Sequence, residues 1–152
     1  MPTERPDPYA AFNYLVTVKT RSDLEIRGAF SEVTGLSTEV TYADYREGTD
    51  PRNHGRKIPT TYKVGDITLK RGVIGKKDLY NWMEQVRVGN QAARATIVIQ
   101  LRAEDGQQVV SSWTLKEARP SKWTGPTLSA KSTDVAMEEL MLVAEDMEYN
   151  ED

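Results

Sequence analysis

Apolar and polar residues alternate with a period of two along several short stretches of this chain, and with a helical period along one. Phe12, Tyr14, Val16 and Val18 alternate with Asn13, Leu15 and Thr17, which predicts a half-buried strand. After a polar turn at Thr20 to Asp23, strand-like stretches cover Leu24 to Val33 and Leu36 to Tyr45, with Gly35 between them and Val40 and Tyr42 keeping the alternation. Ile67 and Leu69 begin another strand, which Gly72 and Gly75 stop. Ile97, Ile99 and Leu101 alternate again, Asp105-Gly106 is a hairpin turn, and Val109, Ser111, Trp113 and Leu115 return on the other side.

Between Lys76 and Val88 the period changes. Leu79, Trp82, Met83 and Val86 stand at i, i+3, i+4 and i+7, so these four residues form the core-facing side of an amphipathic helix that Gly89-Asn90 ends. Val135 to Tyr149 fits both periods: Ala136 to Met141 has good helix propensity, while Ala136, Leu140, Leu142 and Ala144 suit a strand, and propensity alone favours the helix. Arg46 to Tyr62 holds four Gly or Pro residues among many charges and reads as a long loop, which in a compact domain is usually functional or disordered. Some seven strands and one confident helix predict a mainly antiparallel β-sandwich or barrel, with the helix packed outside and one long extended loop. No internal repeat is visible.

Composition narrows the chemistry. The 152 residues suit one domain, and the absence of cysteine excludes disulfides, thiolate metal sites and cysteine nucleophiles. Met1 to Asp7 carries charges and prolines but no apolar core of a signal peptide, and no stretch is apolar enough to anchor in a membrane. Synthesis in the cytoplasm is expected, with exit by assembly or lysis. The net charge of −3 hides a division: residues 1–133 carry 20 basic and 15 acidic side chains, and residues 134–152 carry eight acidic and none basic. An acidic segment of this kind either repels itself or meets a basic surface on a neighbouring copy. Without a long basic run, specific nucleic-acid binding is not expected.

Four constellations could in principle carry chemistry. Gly72 to Lys77 lacks the glycine spacing and the following Ser or Thr of a phosphate loop. His54, the only histidine, lies near Glu47 and Asp50 but has no motif around a nucleophile, and one histidine makes a poor metal site. Asp44, Glu47 and Asp50 are interleaved with Arg46, Arg52, Arg56 and Lys57, a pattern that points to salt bridges with partners rather than paired catalytic carboxylates. Trp113, Trp123, Tyr42, Tyr45 and Tyr62 read as core or interface residues rather than stacking platforms. No catalytic, cofactor or metal site is expected.

A series of motifs then identifies a family. Asp7-Pro8-Tyr9-Ala10-Ala11-Phe12-Asn13-Tyr14-Leu15-Val16, Ala29-Phe30-Ser31-Glu32-Val33-Thr34-Gly35-Leu36 and Asp44-Tyr45-Arg46-Glu47-Gly48 resemble the opening of the tail-tube proteins of contractile phages. The likeness continues through Lys57-Ile58-Pro59, Ile67 to Gly72, the helix Leu79 to Val86, Ala118 to Pro126 and Val135 to Leu140. It covers about Asp7 to Glu148 and is greatest to the tubes of extracellular contractile injection systems such as antifeeding prophages and virulence cassettes.

The resemblance implies a single tail-tube domain over 1–152, with an N-terminal arm at 1–8, an extended inter-ring loop at 44–62 and an acidic tail at 149–152. It implies six-membered rings stacked into a tube inside a sheath, with the segment matching Val135 to Glu148 a strand. Tyr45, Arg46, Glu47, Arg56 and Lys57 are the candidate contacts to the adjacent ring, and Asp50 and Arg52 join them as charged residues of the same loop. Implied partners are other copies of the chain, sheath, baseplate or spike, cap and protein cargo in the lumen. The alternative is a secreted effector-carrying ring like the haemolysin-coregulated proteins of type VI secretion, which share the fold.

Overall fold

A computed structural model describes residues 13–21, 25–28, 30–45, 48, 55–73, 77–131 and 135–151. The elements in order are β1 Tyr14–Thr20, β2 Glu25–Gly28, β3 Glu32–Thr34, β4 Thr38–Tyr45, β5 Arg56–Val64 and β6 Ile67–Gly72. They continue as α1 Asp78–Arg87, a 3-10 turn Gln91–Ala93, β7 Ala95–Arg102, β8 Val109–Thr124, β9 Met137–Val143 and β10 Asp146–Glu151.

All strand pairs are antiparallel. Eight strands form one connected sheet, in the order β2-β1-β7-β8-β9-β6-β3 with β10 also on β8, and β4 and β5 pair separately. The 16-residue β8 holds this sheet together. Its first part pairs with β7 and β10, and its last part, from Arg119, pairs with β9. Between the two, Glu117 takes a positive φ of 54°, a conformation uncommon for a residue with a side chain. Strands pass from one layer of a sandwich to the other at bends of this kind. The chain opposite bends at the same place, at Ala144-Glu145, where the Glu145 N–H donates to the Lys116 carbonyl over 3.1 Å.

The period of two fills the space between the layers. Val16 and Val18 lie beside Ile99 and Ile97, and Ile97 beside Leu115, while Ile67 and Leu69 lie beside Leu142 and Leu140. All are buried in a single core cluster. The helix lies on β8 with Leu79 and Trp82 fully buried; Val86 is half-buried against the core, and Met83 is half-buried. Trp82 Nε1 donates to the Ala93 carbonyl at 2.6 Å, satisfying its polar atom inside an apolar site. Gly89, with φ of 83°, follows the helix and supplies the left-handed turn that closes it.

Several expectations are corrected. Arg46 to Tyr62 is not a loop throughout, because Arg56 onwards is strand β5; exposed strands without alternating burial leave no apolar period to read. The helix option at Val135 to Tyr149 gives way to β9 and β10, since pairing on β8 outweighs propensity. Leu24 to Val33 is two strands on different layers, and the helix starts at Asp78 rather than Lys76. Ten strands are described where seven were expected.

Candidate assembly surface

Among the described strands, β4 and β5 pair only with each other. Every residue of β4 is exposed, and so is every residue of β5 except Val64. The register of this hairpin pairs Val40 with Tyr62, Tyr42 with Pro59 and Asp44 with Lys57 on one face. Glu39 with Lys63, Thr41 with Thr61, Ala43 with Ile58 and Tyr45 with Arg56 form the other. The first face is therefore an apolar strip of Val40, Tyr42, Pro59 and Tyr62, and Tyr42 is 57% exposed. A register shift between Thr41 and Tyr42 places an extra residue, Thr60, in β5, and its hydroxyl donates to the Thr41 carbonyl at 2.8 Å. Pro59, which has no N–H to offer, sits at this bulge, where a strand tolerates it.

An isolated two-stranded hairpin is marginal in water, and an exposed apolar strip of aromatic residues marks an interaction surface. Lys57 reaches Asp44 at 2.5 Å with both side chains about 70% exposed, so the pair adds little stability while fixing charge on the hairpin. The sequence-derived contacts divide accordingly. Tyr45, Arg56 and Lys57 lie together at the far end of this hairpin. Arg46, Glu47, Asp50 and Arg52 lie outside the described residues, as does His54.

The base of the hairpin is anchored. Gly35, with φ of 89°, brings the chain so close to Asp66 that an added Cβ would lie 2.0 Å from its carbonyl oxygen. The Gly65 N–H donates to the Ser37 carbonyl at 2.9 Å. A rigid base thus carries a projecting arm.

A second feature escaped the sequence reading. Arg71, on the inward face of β6, donates from Nε to Glu138 at 2.6 Å and also pairs with Asp78 at the start of α1. Burial opposes the guanidinium charge, but the hydrogen bonds and charges of Asp78 and Glu138 outweigh it and raise the Arg71 pKa. Trp123 Nε1 donates to the other Glu138 oxygen at 3.4 Å. This is a structural clamp between helix and sheet, and it holds the only strongly paired charges found deep in the core among the described residues.

A β-sandwich with a bent central strand, one outer helix and a bare hairpin is the architecture of the tail-tube fold. The family model described as "T4-like virus tail tube protein gp19" matches residues 10–148, and the chain belongs to this family. Among solved structures, the tube-terminating cap of the anti-feeding prophage aligns with a TM-score of 0.84 at 26% identity, covering 100% of this chain and 97% of that one. The sheath–tube complex of the PVC extracellular contractile injection system in its extended state aligns at 0.83 and 26% identity, over 97% and 94% of the two chains. Hcp1 from Flavobacterium johnsoniae aligns at 0.52 and 17% identity over 91% of this chain and 96% of that one, a likeness of fold alone. No curated protein matches the chain significantly.

Proposed function

We propose that this tail tube protein is the inner-tube protomer of an extracellular contractile injection particle, forming six-membered rings that stack around a central channel. Its work is mechanical: contraction of an outer sheath drives the preassembled tube through a target envelope, and the chain carries out no catalysis. The anti-feeding prophage cap and baseplate structures and the PVC sheath–tube complex support sheath, baseplate and cap as partners here too. Protein cargo in the lumen belongs to the same proposal.

The observation that carries this reading is the bare hairpin. A protein that folds for itself alone rarely leaves such an apolar strip bare, whereas Val40, Tyr42, Tyr62 and Ile58 are all more than two-fifths exposed on a hairpin that pairs with no other strand among the described residues. Head-to-tail contacts close into a ring when the rotation fits, and along the axis they never close and give a filament. The hairpin supplies the axial contact, with Tyr45, Arg56 and Lys57, and with Arg46, Glu47, Asp50 and Arg52, touching the adjacent ring. Tyr42→Asp with Ile58→Asp is expected to leave folded single rings that no longer elongate, seen by electron microscopy and circular dichroism. Normal tubes from that double variant would remove the hairpin from the axial contact.

A further inference from the structure

Strand β6 separates two exposed apolar surfaces. Its first residue, Ile67, follows the β4–β5 hairpin through Gly65-Asp66 and pairs with Leu142. Its last, Gly72, pairs with Met137, and beyond it the Val73 N–H donates to the Ala136 carbonyl at 2.9 Å. Six residues of strand span on the order of 20 Å. The base of the hairpin and Val73 therefore stand at opposite ends of the β6–β9 pair.

At the Val73 end four apolar side chains face solvent. Val73 is exposed, and Val135, next to Ala136, is 77% exposed. Tyr80, on the first turn of α1, is exposed and stands edge-on to Trp123, with ring centroids 5.2 Å apart. Leu128 is 85% exposed and lies between β8 and β9, and Thr124, the last residue of β8, pairs with Glu139 at this same end. Single exposed valines and leucines need no explanation, but several grouped at one end mark an interaction surface.

We propose that Val73, Tyr80, Leu128 and Val135 form the seat for the Val40, Tyr42 and Tyr62 strip of a copy in the adjacent ring. The contact rests on the axial role given to the hairpin above and assigns the surface that receives it. A head-to-tail stack brings one end of a protomer against the opposite end of the next. The hairpin leaves one end of β6 and the four side chains cover the other, so stacking opposes apolar to apolar. The area fits the same arrangement. An aromatic side chain buries about 150–250 Å2, so these partly exposed residues together supply on the order of several hundred Å2 per copy. That is less than the ~1,200 Å2 of a stable two-chain complex. Repeated around a ring, the contacts act together, which suits ring stacking and not a free dimer.

Leu128→Asp with Val135→Asp alters exposed positions, where changes usually cost little stability. The double variant is expected to keep the parent's circular dichroism and its rings, and to raise at least tenfold the protein concentration at which tubes appear on micrographs. Loss of one buried side chain's transfer free energy gives that factor. Tubes at the parent's concentration would overturn the seat and leave the hairpin reading intact, since Tyr42→Asp with Ile58→Asp tests that separately.

Cross-linking tests the occupant. The chain has no cysteine, and Val40→Cys and Val135→Cys each exchange a valine for a small apolar thiol. Tubes assembled from the two variants mixed, then treated with a short bismaleimide, are expected to give linked pairs with one copy of each, and tubes of either variant alone to give none. Absence of mixed pairs, or linkage of Val135→Cys copies to one another, would overturn the hairpin as occupant whatever the fate of the aspartate variant. A parent protein that forms no tube would overturn both readings.

Discussion

Arg71 and Glu138 face each other across β6 and β9, Nε to Oε1 at 2.6 Å, with both side chains less than a tenth exposed. Each stands at the end of a row of inward apolar residues, Ile67 and Leu69 on one strand and Leu142 and Leu140 on the other. Removing Glu138 leaves the buried Arg71 Nε without its acceptor, with Asp78 facing only the other end of the guanidinium. Glu138→Ala is expected to cost about 3–5 kcal/mol in urea unfolding, whereas the paired replacement Arg71→Met with Glu138→Leu costs far less. Equal losses for both would show that the apolar surroundings cannot repack.

Trp82 joins helix, turn and sheet. Trp82→Ala is expected to lose about 3–5 kcal/mol of stability, because it opens a cavity and strands the Ala93 carbonyl. Trp82→Phe keeps most of the volume and loses about 1–3 kcal/mol through that carbonyl. Denaturant midpoints of the two variants separate packing from hydrogen bonding, and identical midpoints would contradict the division.

These two predictions show what could be read from the sequence and what could not. The strand alternation around Val16, Ile97 and Leu69 and the helical spacing of Leu79 and Trp82 were legible, because one buried face imposes a period. The hairpin strand β5 was not, since exposure on both faces leaves no period, and Arg56 to Thr61 then looks like a loop. The choice of strand over helix after Val135 depends on pairing with β8, a partner far away in the chain. The Arg71–Glu138 clamp had a faint signal: a charge at the next inward position after Ile67 and Leu69, and another two before Leu140 on the facing strand. Tyr45, Arg56 and Lys57 lie together because β4 and β5 pair in register there, and residues 46, 47 and 49–54 between the two strands lie outside the described residues.

Gly35 tolerates no side chain. Gly35→Ala combines a left-handed φ with a clash against the Asp66 carbonyl, both at the base of the hairpin. The expected result is poor soluble yield or a loss of several kcal/mol, on the order of the larger single-residue effects. Thermal unfolding measures it, and a Tm equal to the parent's would contradict the packing described.

Reversal at the hairpin has the opposite profile. Arg56→Glu or Lys57→Glu is expected to change folding stability by no more than about 0.5 kcal/mol, as exposed changes usually do, while blocking elongation of rings. Calorimetry together with particle lengths on micrographs checks both halves. A stability loss as large as that of Trp82→Ala would place these residues inside the fold instead.

Acid affects the β7–β8 turn in a defined direction. Asp105 accepts the N–H groups of Gln107 and Gln108, which hold its carboxyl below the ordinary Asp range. Since the folded value is depressed, its contribution is complete above the unfolded pKa and disappears as the pH falls through the folded one. Carboxyl NMR titration should find Asp105 below the usual value of about 3.9. An ordinary value would mean the turn does not hold those bonds in solution.

Electron microscopy of the purified full-length protein at high concentration tests the central claim most directly. Hollow six-fold rings and tubes of uniform width, with the 38–64 hairpin bridging successive rings, are the predicted result. A population of single 17.1 kDa subunits at every concentration would contradict it.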